Sequence, residues 1–116
     1  MKKKWIGIIA SILTVCMLTM GAFAATTTVT ISKGQGSKLS SKLSGHGANF
    51  SAANYSSSTE IMQAYGMAGR AIKWNPSIQI GKKASGSWSD SQNTYSFQMQ
   101  LVGSYGCNGS GTMTVS

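Results

Sequence analysis

Carboxylates are almost absent from this sequence: Glu60 and Asp90 are its only acidic side chains, and His46 is its only histidine. A glycosidase-type acid/base pair would have to be these two carboxylates, and neither lies in a catalytic motif. A nucleophile and its base would have to be Cys107 and His46, and no third orienting residue stands beside them. We therefore predict no catalytic residues and interpret both carboxylates as surface charges.

Metal-ligand and phosphate-binding motifs are also missing. One histidine, two cysteines and two carboxylates, scattered along 116 residues, have no spacing that would hold a metal ion. The glycine-rich stretches GMAG and GSYGCNGSG match neither the P-loop nor the dinucleotide-binding pattern, and such glycines are typical of turns. We predict neither a metal nor a cofactor.

The first 25 residues have the three parts of a secretory signal peptide. Lysines at positions 2–4 precede an apolar run over residues 5–20, and small residues around Ala24 form the cleavage site. A transmembrane anchor is the competing interpretation, but the run is shorter than the roughly 20 residues that a spanning helix needs. We predict a cleaved signal peptide of bacterial type over residues 1–25 and a single secreted domain over residues 26–116.

Only one cysteine remains after this cleavage. Cys16 lies within the predicted signal peptide, and Val15 before it is not the small residue that a lipoprotein signal requires. The secreted part keeps Cys107 alone, so a disulfide within it is excluded. Two interpretations stay open for Cys107: a residue at the tip of a hairpin, or an intermolecular disulfide that would link two copies as a homodimer.

Basic side chains outnumber acidic ones in the predicted secreted part by seven to two, a net charge of +5 with the histidine neutral. Lysines concentrate near one loop and in one adjacent pair: Lys33, Lys38, Lys42, Lys82 and Lys83. Such a charge attracts anionic surfaces in a salt-dependent way. Two interpretations stay open: the charge serves solubility alone, which we favour, or it binds an anionic cell-wall polymer or a membrane surface. Nucleic acid is not expected for a secreted chain.

Glycine and serine make up about a third of residues 26–116, a fraction that often marks disorder. Eight aromatic side chains are spread along the same residues, and they argue against disorder because a packed β-domain needs such side chains in its core. We interpret Trp74 and Trp88 as core residues, with exposed platforms for sugar rings as the alternative.

Alternating apolar and polar residues predict strands at both ends of the domain. In residues 26–34, the β-branched Val29 and Ile31 share one face while threonines occupy the other. Residues 95–101 alternate in the same way from Tyr95 to Leu101.

The dipeptide Asn108-Gly109 predicts a type I′ turn, because both central residues of that turn have positive φ. Met113 and Val115 alternate after it, so we predict a C-terminal hairpin. The lysine-, serine- and glycine-rich residues 35–47 are predicted to form a polar loop.

The assignment is ambiguous over residues 57–72. A capping box and helical spacing of apolar residues favour a helix, but Gly66 and Gly69 would each cost about 1 kcal/mol in a helix interior. We therefore favour strands, with Ile72 and Trp74 on one face and a helix as the alternative.

These patterns together predict an all-β fold: a small antiparallel β-sandwich, or a small barrel, of six to eight short strands. The function we expect is non-enzymatic binding at the cell envelope or in the extracellular milieu. A cationic antimicrobial, bacteriocin-like protein is the alternative.

Overall fold

The structure, a computed structural model, describes residues 24–116. The predicted signal peptide lies outside the described residues except for its last two positions. Over the described range the chain has no helix and ten β-strands: β1 Ala25–Ile31, β2 Ser37–Leu39, β3 Leu43–Gly45, β4 Gly47–Asn54, β5 Met62–Ala68, β6 Ala71–Trp74, β7 Ser77–Ile78, β8 Lys83–Ser89, β9 Tyr95–Val102 and β10 Gly109–Val115.

The strands form two antiparallel sheets that pack on a shared core. Sheet A has the order β1-β10-β4-β8, and sheet B has the order β2-β9-β5-β6. In sheet B, β3 also pairs with β9 and β7 with β5. The predicted antiparallel β-sandwich is therefore confirmed.

The strand count differs from the predicted six to eight because both edges of sheet B are broken. Strands β2 and β3 lie one after the other along β9, and β7 and β6 lie one after the other along β5. Each sheet is thus about four strands wide. The four edge pieces are only two to four residues long, which is too short for an alternating pattern to identify them.

The polar loop predicted for residues 35–47 is wrong, since this stretch supplies β2 and β3. Between them the buried Ser40 keeps the contact to β9: its amide donates to the Met99 carbonyl at 2.9 Å, and its Oγ accepts from the Met99 amide at 2.9 Å. All three residues of β2 are exposed. The strand is therefore held by backbone pairing to β9 and not by burial of one side-chain face.

The core lies between the sheets and consists of the alternate residues that the sequence pattern indicated. Most inward-facing side chains on β1, β4, β9 and β10 are buried, among them Ile31, Phe50, Phe97, Leu101 and Met113. Removal of such side chains from water supplies most of the stabilisation of a small domain, at about 25 cal/mol per Å² of apolar area.

Within the ambiguous residues 57–72 the chain forms β5 and the start of β6, as favoured, and the helix alternative is wrong; residues 57–61 are a loop. The expected shared face of Ile72 and Trp74 is also wrong. Gly66 pairs with Trp74 and Met67 pairs with Ile72, so Lys73 is an extra residue in a β-bulge. This bulge turns Trp74 inward and leaves Ile72 56% exposed.

The predicted C-terminal hairpin is wrong, because β9 and β10 belong to different sheets. Residues 103–108 cross from one sheet to the other. The residues with positive φ in this crossing are Ser104 (50°) and Tyr105 (68°), not the Asn108-Gly109 pair.

The strand directions gather the loops at two ends of the sandwich. One end, which we call the four-loop end, carries residues 32–36, 55–61, 79–82 and 103–108. The opposite end carries His46, residues 69–70 and 90–94, and the paired segment of Ala25 and Val115.

Candidate binding surface

The residues that could have formed catalytic pairs lie at opposite ends of the molecule. Glu60 belongs to the four-loop end and Asp90 to the opposite end, and the same separation divides Cys107 from His46. The imidazole Nδ1 of His46 instead lies 2.7 Å from the Asn93 carbonyl oxygen. Neither an acid/base pair nor a thiol/imidazole pair can form between residues at opposite ends of the sandwich.

Asp90 organises the turn between β8 and β9. Its carboxylate accepts hydrogen bonds from the Asn93 side-chain Nδ2 at 2.8 Å and from the Tyr95 hydroxyl at 2.7 Å. These bonds, with a further one from the Gln92 backbone N–H, lower the pKa of Asp90 to about 2. The same carboxylate raises the pKa of the Tyr95 hydroxyl. Asp90 is therefore an ionised structural anchor.

No group of three metal-ligating side chains occurs among residues 24–116. Within the same residues, no helix has the length and apolarity that crossing a membrane requires.

Cys107 lies in the core, with a side chain that is 0% exposed. Its Sγ donates a hydrogen bond to the Glu60 carbonyl at 3.2 Å. Burial, with a smaller effect of the Glu60 charge, raises the pKa of the thiol, so it is protonated and unreactive at neutral pH. A disulfide to a second copy remains a prediction, and it would require residues 103–108 to open.

The five candidate lysines are all exposed, but they do not form one patch. Lys33 and Lys82 belong to the four-loop end, and Lys83 follows as the first residue of β8. Lys38 is on the edge strand β2, and Lys42 follows in the link to β3.

Asn108 holds three segments of the four-loop end together. Its side-chain Oδ1 accepts from the Lys33 amide at 3.0 Å, and its carbonyl accepts from the Tyr55 amide at 2.8 Å. Its backbone amide donates to the Ser58 Oγ at 2.8 Å, and its Nδ2 donates to the Ser57 Oγ at 3.0 Å. The residue that suggested a hairpin turn is therefore the centre of this loop cluster.

Asn54, which is 1% exposed, joins the remaining loop to the cluster. Its amide donates to the Lys82 carbonyl at 3.0 Å, and its carbonyl accepts from the Gly81 amide at 2.8 Å. Its Nδ2 donates to the carbonyls of Glu60 and Ile78, each at 2.9 Å. All four loops are thus connected by hydrogen bonds, and the lysines sit on a fixed framework.

Large apolar side chains are exposed on the same framework. Within residues 24–116, six large hydrophobic side chains are exposed, and four of them belong to the four-loop end: Tyr55, Ile61, Ile80 and Tyr105. Tyr105 is the most exposed of the six, at 69%. None of these four residues was predicted from the sequence as a surface residue of a binding site. The available signal was an isolated tyrosine inside the glycine-rich stretch GSYGCNGSG.

The outer face of sheet A is a second, chemically different surface. Rows of small polar side chains cross its four strands, for example Thr28, Thr112, Ser51 and Ser85. Two adjoining shallow depressions of about 400 and 430 Å³ lie on this face. Lys83 is the one charged residue among the described side chains that line them, so the face suits neutral hydrogen-bonding groups better than polyanions.

The tryptophans are packing residues, as predicted. Both are half-buried and pack against the core. The Trp74 ring stacks on Phe50, and the Trp88 ring meets the edge of Tyr95 at 5.0 Å between centroids. The Lys73 Nζ lies over the Trp88 ring, 4.4 Å from its centroid.

Comparisons with known proteins give a resemblance in fold only. No protein-family model matches the sequence, and no curated protein matches it. Among solved structures, the chain is similar to the Yersinia pseudotuberculosis-derived mitogen, with a TM-score of 0.46 and 16% identity over 79% of this chain and 84% of that one. It is also similar to PirA, with a TM-score of 0.46 and 9% identity over 79% of this chain and 92% of that one. A protein of the Bacillus endospore appendages, which are disulfide-linked pili, gives a TM-score of 0.45 and 9% identity over 80% of this chain and 88% of that one. At 16% identity or less, none of them assigns this chain to a family.

Proposed function

We propose that this chain is a secreted, non-enzymatic binding domain that attaches to phosphate-rich polyanionic surfaces of the cell envelope through its four-loop end. The observation that carries the proposal is the charge of that end. Lys33 and Lys82 are exposed there, Lys83 follows at the start of β8, and Glu60 is the one carboxylate among the described residues of that end.

Two further features support binding rather than catalysis. The titratable groups that catalysis would need are divided between the two ends of the sandwich. The loops that carry the lysines are connected through Asn108 and Asn54, so little conformational entropy is lost when a partner binds. Secretion is supported by the predicted signal peptide over residues 1–25.

Binding to immobilised poly(glycerol phosphate) tests this proposal. The variant Lys33→Gln/Lys82→Gln removes two charges from the four-loop end, and the matched control Lys42→Gln/Arg70→Gln removes two charges elsewhere. A lysine near an anionic surface contributes about 1 kcal/mol, so the first variant should lose roughly thirtyfold in affinity. The control should change little. Wild-type affinity should fall as salt rises, because screening shortens the reach of each charge.

Equal losses in the two variants would contradict the proposal, since net charge and not the four-loop end would then control binding. No binding by the wild-type protein at low salt would contradict it outright.

A second candidate function is a cationic antimicrobial protein. The observation that favours it is that lysines and exposed apolar side chains occur together at one end of the molecule. Growth inhibition of bacterial strains by the purified protein would support this function, and no inhibition at micromolar concentrations would exclude it.

A further inference from the structure

We propose that the partner of the four-loop end is an anionic lipid bilayer, into which Tyr105 and Ile61 insert while Lys33 and Lys82 contact lipid phosphates. This inference rests on the proposed function and names the surface to which it applies.

Exposed apolar side chains cluster at the four-loop end. A soluble domain buries most of its large hydrophobic residues, and a cluster of exposed ones marks an interaction site. Tyr105 and Ile61 are 69% and 45% exposed. The loops that carry them are bonded to each other, because the Thr59 amide donates to the Gly106 carbonyl at 2.8 Å. A soluble phosphate polymer has no apolar region that could bury these side chains, whereas a bilayer has one.

The backbone of Tyr105 is strained. Its φ of 68° and the φ of 50° at Ser104 place two consecutive non-glycine residues in the left-handed region, which is unfavourable for a bulky side chain. Such strain persists where the surroundings enforce it and is frequent at functional sites. Here the Gly34 amide donates to the Tyr105 carbonyl at 3.0 Å.

The side chain of Tyr105 lies beside the β1–β2 loop. Its ring lies against the backbone of Gly36: a Cβ at that position would be only 3.1 Å from the ring. Any larger residue at position 36 would push the ring aside. Tyrosine is enriched at membrane–water interfaces because its ring is apolar and its hydroxyl is polar. An exposed tyrosine at a loop tip therefore matches the interfacial region of a bilayer.

Two lysines lie in the same loop cluster as these apolar side chains. Lys33 directly precedes Gly34, whose amide donates to the Tyr105 carbonyl. The Lys33 amide donates to the Oδ1 of Asn108. Lys82 belongs to the neighbouring loop, joined through Asn54. Lysine stems can lie along apolar surface while the ammonium reaches phosphate. Apolar tips with flanking lysines bind anionic membranes through both terms together.

The test compares vesicles of phosphatidylglycerol and phosphatidylcholine with immobilised poly(glycerol phosphate). The variant Tyr105→Ser/Ile61→Ser removes the apolar tips. The matched control Leu39→Ser/Ile72→Ser removes two other apolar side chains, each 56% exposed, on the edge strands of sheet B. Thermal unfolding of both variants establishes that each is folded.

We expect Tyr105→Ser/Ile61→Ser to lose at least tenfold in affinity for the vesicles and to keep its affinity for the polymer. The control should keep both affinities. In a Tyr105→Trp variant, brominated lipids should quench the added fluorescence, which reports depth in the bilayer.

Two results would overturn the inference while leaving the proposed function intact. One is unchanged vesicle binding by Tyr105→Ser/Ile61→Ser. The protein would then bind the membrane surface by electrostatic attraction alone, without inserting these side chains. The other is wild-type binding to the polymer but not to the vesicles. Binding to neither partner would overturn the proposed function as well.

Discussion

Phe50 of sheet A and Trp74 of sheet B stack across the core, with 5.4 Å between ring centroids and 10° between ring planes. Each ring occupies the space above a glycine of the opposite sheet. A Cβ on Gly66 would lie 2.6 Å from the Phe50 ring, and one on Gly86 would lie 2.5 Å from the Trp74 ring. Gly86 pairs with Phe50 within sheet A, and Gly66 pairs with Trp74 within sheet B. The two sheets are therefore interlocked by a reciprocal pair of aromatic rings and glycines.

This interlock predicts that a single methyl group at either glycine is destabilising. Gly66→Ala and Gly86→Ala should each lower the free energy of unfolding by about 1–3 kcal/mol, because the facing ring must move within a packed core. Denaturant unfolding followed by tryptophan fluorescence measures this. The control Ser85→Ala, on the outer face beside Gly86, should change stability by less than about 0.5 kcal/mol. Equal effects of Ser85→Ala and Gly86→Ala would refute the interlock.

The Asp90 turn predicts a pH dependence of stability on the acid side. The pKa of Asp90 is about 2 in the folded protein, below its ordinary value of 3.8, so the folded state binds fewer protons than the unfolded state between these values. Its contribution to stability is complete above about pH 4 and is lost as the pH falls towards 2. Carbon-detected NMR of the carboxyl group measures the pKa directly, and denaturant unfolding measures the stability.

Two variants examine the origin of this pKa. Tyr95→Phe removes one hydrogen bond to the carboxylate, so the pKa of Asp90 should rise towards 3.8. Asp90→Asn should flatten the part of the stability curve between pH 4 and 2. A carboxyl group that titrates near 3.8 in the wild-type protein would show that the turn is open in solution.

The burial of Cys107 predicts a thiol that is protected from reagents while the protein is folded. A water-soluble aromatic disulfide reagent should label it roughly a hundredfold or more slower in the native protein than in guanidinium, because labelling needs local opening. Rapid labelling of the native protein would contradict the burial. A mass that is doubled without reductant would show that residues 103–108 open to form the intermolecular disulfide.

Strands with one buried face could be predicted from the sequence because their side chains alternate. In β9, Phe97, Met99 and Leu101 are buried while the residues between them are not. The short edge strands could not be predicted this way, since backbone bonds to β9 and β5 define them. The orientation of Ile72 depends on the bulge at Lys73. A bulge interrupts the alternation of side chains, so it could not be predicted from a periodic pattern.

The candidate surface was only partly predictable. Exposed lysines were apparent from composition, but their positions depend on the order of the strands in the two sheets. Asn108 was assigned to a hairpin turn because the local dipeptide favours one. In the structure, bonds to two other segments decide its role instead. Such contacts between distant segments leave no local signal, and the exposure of Tyr105 follows from them.

The most direct test of the binding surface is to follow the backbone amide signals of the ¹⁵N-labelled protein while a short soluble polyphosphate is added. The account predicts that the largest shifts occur in residues 32–36, 55–61, 79–82 and 103–108, that they saturate, and that salt reverses them. Shifts centred on the outer face of sheet A, or on residues 90–94 at the opposite end, would contradict it.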